Sequence, residues 1–150
     1  MVVLINALRT TAARLSRGAR YQWTHMGACN CGHLAQTVTK RSRAEIHEAA
    51  LEKAGDWGEQ VIDHCPQSGY PIDHIITALL ALGLTRADLA ALERLADPAI
   101  RRRIDLAALG LDSLEQLSHR RREHVVAYMN AWADLLESRA VQTYRSADAA

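Results

Sequence analysis

Apolar residues recur along most of this chain at intervals of three and four, the spacing of helices that bury one face. Leu4, Leu8, Ala12 and Leu15 line up opposite Arg9 and Arg14, which predicts a first helix from about Val3 to Ser16, stopping near Gly18. After a loop from Ala19 to Cys31, a short helix from Gly32 would carry His33, Leu34 and Val38. Ser42 with Glu45 reads as a capping box, in which hydroxyl and carboxylate satisfy each other's free amides, for a helix ending at Gly55. Asp56 with Glu59 repeats the device and opens a helix with Trp57, Val61 and Cys65 on one face, closed by Pro66, Ser68 and Gly69. Pro71 suits the first turn of a helix through Leu82, with Gly83 at its end. Thr85 with Asp88 opens a helix bearing Leu89, Leu92 and Leu95, and Asp97-Pro98 restarts the chain. A last long element, opened by Asp112 with Glu115, carries Leu114, Leu117, Val125, Tyr128, Trp132 and Leu135 on a stripe broken at Arg121, with fraying expected after about Arg139.

No stretch alternates with the period of a strand. The pattern therefore predicts an all-α fold, an irregular or orthogonal bundle of about seven helices with a long C-terminal helix, as one domain over 1–150. Ile62-Asp63-His64 echoes Ile72-Asp73-His74, but a single echo does not make a repeat fold.

Composition supports this reading: 49% of residues are apolar, 23% are charged and Phe is absent, which favours one helical globular domain over a disordered or collagen-like chain. The formal charge of +1 conceals a segregation. Met1 to Ala44 holds seven Lys/Arg and no Asp or Glu, leaving eleven basic against seventeen acidic residues, net −6, in the remainder. Val2 to Leu8 is apolar but has no basic residue before it and is cut off by Arg9, too short for a secretory signal. The acid-free run of Arg9, Arg14, Arg17 and Arg20 has the composition of an organellar transit peptide, yet no compositional break separates it from the cysteine-bearing stretch beyond. The longest nearly apolar run, Ile75 to Leu84, has about ten residues against the ~20 that span a bilayer, so it reads as a buried helix and no membrane span is expected. Three cysteines cannot all pair within one chain, which points to reduced thiols and a cytoplasmic setting.

The chemistry concentrates in Tyr21 to His33, YQWTHMGACNCGH, together with Asp63-His64-Cys65, which between them hold all three cysteines. A Cys-x-Cys in a loop bracketed by Gly27 and Gly32 can turn its sulfurs toward one ion, and the surrounding cations favour thiolate over thiol. The expected site is Cys29, Cys31 and Cys65 with one histidine, His33 or His64 ahead of His25. Such a soft donor set suits zinc or an iron–sulfur cluster. It matches neither the paired Cys-x2-Cys of common zinc fingers nor the ferredoxin run, and it is no Cys-x-x-Cys-His haem signature.

Blander readings stand beside it. Cys65 continues an apolar face and alone reads as core; His47, His74, His119 and His124 read as satisfied or surface histidines, and Trp23, Trp57 and Trp132 as core anchors. A di-iron bundle lacks its Glu-x-x-His pairs, and Asp63, His64 and Cys65 fan apart on a helix too widely for a local triad. A helix-turn-helix over Thr85 to Ile104, with Arg101, Arg102 and Arg103 on phosphates, is opposed by the acidic balance of its segment, so no nucleic acid is expected. The sequence thus predicts a small metal-binding protein, redox or metalloenzyme in role. Its alternatives are a module that binds a protein or small-molecule partner through the basic N-terminal surface and keeps a structural zinc, and a metal-free thiol redox protein.

Overall fold

Helical periodicity becomes seven α-helices among the residues that the computed structural model describes, 1–25, 27–51 and 71–149, with no strand among them. In chain order these are α1 (Val2–Ser16), α2 (Asn30–Thr39), α3 (Arg43–Leu51), α4 (Pro71–Ala81), α5 (Arg86–Arg94), the single turn α6 (Pro98–Arg101) and the long α7 (Arg122–Asp148). Two 3₁₀ turns, Ala107–Leu109 and Leu114–Gln116, precede α7.

The core follows from the stripes. α1 buries Leu4, Leu8, Ala12 and Leu15 along α7, which answers with Val125, Tyr128, Met129 and Trp132. At the solvent edge of that seam Arg9 reaches Asp134 at 2.5 Å and Glu137 at 3.1 Å, part-exposed pairs that add little to stability. α2 lies at the centre, packed against α1, α3, α4 and α5, with Leu34 and Ala35 fully buried. α4 buries Ile75, Ile76 and Leu79 on one face, while Thr77 and Ala81 are exposed, so the apolar run is a half-buried helix and not a fully buried one. Among the described residues no single helix is long and apolar enough to cross a membrane.

Local chemistry sets most helix starts. Ser42 and Glu45 form their capping box, with the Ser42 amide donating to Glu45 Oε2 at 2.7 Å and the Glu45 amide to Ser42 Oγ at 3.3 Å. Thr85 and Asp88 do the same for α5. Asp97 accepts from the amides of Ala99 and Ile100, with Pro98 in the first position of α6 where no amide is missed.

Three boundaries differ from the sequence pattern. α2 begins at Asn30 instead of Gly32, because the Cys29 side chain takes the capping position. The long helix opens at Arg122 and not near Asp112: Ser113 and Gln116 close their capping box around a single 3₁₀ turn, after which Leu117 and Arg121 are both extended. At its other end α7 continues past Arg139 to Asp148, on a segment with no Gly or Pro whose Thr143 and Ser146 hydroxyls bond carbonyls four residues back. The helix expected from Asp56 lies outside the described residues.

Candidate functional site

The loop between α1 and α2 is knitted by its own backbone. The Gln22 amide donates to Ala28 O, and the amides of Ala28 and Cys29 both donate to His25 O at 2.9 Å. Its outer half docks on the turn before α7. Tyr21 donates its hydroxyl to His119 O, and the Trp23 and His119 rings meet at 4.2 Å between centroids.

The two cysteines of this loop serve different neighbours. Cys29 caps α2, its sulfur accepting from the Gly32 amide at 3.4 Å. Cys31, one turn position on, directs its thiol at Leu89 O of α5, 3.6 Å away. Both are buried. The residue between them is a clamp that sequence spacing treated as a spacer. Asn30, fully buried, donates its side-chain amide to Leu92 O at 2.7 Å and Glu93 O at 2.9 Å, and its Oδ1 accepts from the Cys31 amide at 2.8 Å. Leu92 and Glu93 close α5, so the clamp satisfies carbonyls that the end of a helix leaves over. Burial drives the Tyr21 phenol well above its ordinary range, with the nearby Cys29 and Cys31 sulfurs adding to the effect.

His33 has both ring nitrogens engaged. Its Nε2 donates to Arg20 O at 2.8 Å, which leaves Nδ1 to accept from Arg14 Nη2 at 3.2 Å; Arg14 also donates to His33 O at 2.7 Å and to Thr37 Oγ1 at 3.2 Å. With Thr11 Oγ1 bonded to Thr37 Oγ1 at 2.7 Å, these groups form a polar seam between α1 and α2. Burial lowers the basicity of His33 below the ordinary imidazole value, with Arg14 and Arg43 acting in the same sense, and it lowers that of Arg14.

His25 stands elsewhere. Its ring stacks on His47 of α3, centroids 4.0 Å apart and planes inclined by 25°. Gly27 explains how the loop reaches α3: a Cβ there would lie 1.9 Å from Arg43 O, so the backbones approach as only glycine permits. Gln36 fixes the same point from α2 by donating to Gly27 O at 2.5 Å. The His25 Nδ1 lone pair accepts from the Gly27 amide at 3.1 Å. Burial first, then His47, Arg43 and Arg20, hold His25 below the ordinary histidine value, so both the ring contact and the cations around it favour the neutral imidazole.

Of the expected donors, the structure therefore places Cys29, Cys31 and His33 together around the start of α2 and His25 against α3, while His64 and Cys65 lie outside the described residues. Among the described residues no group of three or more His, Cys, Asp or Glu side chains converges as a metal site would. His47, Asn30 and Arg14 are contributors that spacing did not mark, because the partners that define them lie on other elements. No protein-family model, curated protein or solved structure matches this chain.

Proposed function

We propose that this chain is a small metal-binding protein, with a soft ion held by His25 and His47, sulfur from Cys65, and His64 as the further nitrogen. The contact between His25 and His47 carries the reading: two imidazoles from separate elements stand side by side, and His25 is held neutral. The His25 lone pair that now accepts the Gly27 amide is the one a metal would take. Cys29, Cys31 and His33 are left out of this set because, among the described residues, no third donor converges with the histidine pair. Nitrogen and sulfur donors select a soft or borderline ion over calcium or magnesium, which want oxygen. Three nitrogens and one thiolate suit tetrahedral zinc, and the thiolate charge would be offset by Arg20 and Arg43, the cations that act on His25.

Cobalt(II) titration of the full chain under anaerobic conditions tests the assignment. The expected result is saturable visible d–d absorption with a sulfur-to-metal band, lost in His25→Asn, His47→Asn and Cys65→Ser and retained in Cys31→Ala. Absence of those bands in the parent chain, or their survival in His25→Asn and His47→Asn, would overturn it.

A further inference from the structure

The basic character of the N-terminal segment does not end with that segment. By docking on His119, the loop joins its own face to a run of three arginines at the start of α7, and between them lies a shallow, open cleft of about 300 Å³ lined by Tyr21, Arg120, Arg121, Arg122 and Glu123. Among the described residues none of the three arginines makes an ion pair. Their position compounds the imbalance, since the first turn of a helix is the end where cations are disfavoured. Nearby, the Arg94 guanidinium lies 5.4 Å over the Trp23 ring, and His119 carries a buried Nε2 with no hydrogen-bond partner among the described residues. Burial, Arg94 and Arg120 all act to keep His119 neutral.

Mutually repelling guanidiniums around a concave surface are stabilised by an anion that accepts from several at once, and the planar guanidinium fork is matched to oxyanions, phosphate above all. The cleft has the volume of a small anion's site and stays open to solvent, so recognition there rests on charge more than on enclosure. The Tyr21 hydroxyl is committed to His119 O, so the tyrosine offers a ring wall and no donor. Glu123, the acid on the lining, repels a second negative charge but accepts from a hydroxyl. We infer that the cleft between Tyr21 and Arg120–Arg122 binds a small phosphomonoester that carries a hydroxyl group beside its single phosphate. This site is separate from the metal proposed at His25 and His47 and does not depend on it.

Isothermal titration of the full chain with glycerol 3-phosphate, inorganic phosphate and glycerol at low salt tests the inference. Glycerol 3-phosphate should bind saturably and tighter than inorganic phosphate, with glycerol inert and affinity falling as salt rises. The double variant Arg120→Gln/Arg121→Gln should weaken binding by about tenfold or more, the consequence of losing charged hydrogen bonds, while exposed Arg102→Gln leaves it unchanged. An unchanged melting temperature for the double variant separates lost binding from lost fold. No saturable binding by the parent chain, equal affinity in the double variant, or tighter binding of polyglutamate or single-stranded RNA than of glycerol 3-phosphate would overturn it.

Discussion

Replacing Asn30 by Ala removes the clamp that seats the start of α2 on the end of α5. Three hydrogen bonds are lost: two from the side-chain amide to Leu92 O and Glu93 O, and one from the Cys31 amide to Oδ1. Leu92 O keeps a contact from the Leu95 amide at 3.3 Å. At about 1 kcal/mol net for each bond, the loss comes to about 3 kcal/mol. For a chain of this length that lowers the melting temperature by roughly 6–12 °C. Asn30→Asp should cost at least as much, since a carboxylate oxygen then faces two carbonyl oxygens. Urea and thermal unfolding followed by circular dichroism measure the change. Thiol titration adds a local readout, because Cys29 and Cys31 should react faster with a thiol reagent once α2 loosens. An Asn30→Ala chain within about 0.5 kcal/mol of the parent, with thiols equally protected, would refute the clamp.

Gly27→Ala sets a Cβ against the Arg43 carbonyl, a backbone atom that cannot swing aside, so it should destabilise by about 1–3 kcal/mol and shift the His25 and His47 ring resonances together in NMR spectra; unchanged resonances would contradict the close approach. Lys40 ends α2 in the left-handed region at φ 59° on an exposed position, so Lys40→Gly should raise unfolding free energy by about 0.5–1 kcal/mol in urea denaturation, and a loss would contradict it. Burial lowers His25, His33, His119 and His124 below the ordinary value of 6.5, so below that pH the unfolded chain binds more protons than the folded one. Stability is then full above about pH 6.5 and falls as pH drops through it, and a urea midpoint unchanged between about pH 7.5 and 5.5 would count against this.

What the sequence displays is what its local chemistry decides. The Ser42–Glu45 and Thr85–Asp88 capping boxes, the Pro98 start and the α1 stripe all depend on neighbours within four residues, and the structure shows them where the pattern predicts. The start of α7 depends on distant partners instead. Tyr21 holds His119 O across the fold and the Ser118 amide donates to His124 Nδ1, so the apolar stripe runs through a segment whose backbone is committed elsewhere. The same limit applies at the site. The cysteine loop stands out by composition, but the roles of Asn30, His33 and His25 come from α5, Arg14 and α3, which spacing does not encode. Cysteine is an uncommon helix cap, so the position of α2 was hidden as well.

Whether an ion resides at the histidine pair is read from elemental analysis of the full chain, purified anaerobically without added metal, with acid-labile sulfide measured on the same sample. About one equivalent of zinc per chain, no sulfide, and loss of that zinc in a folded His25→Asn/His47→Asn chain is the expected result. A parent chain free of metal, or one whose metal content is indifferent to both histidines, would contradict it.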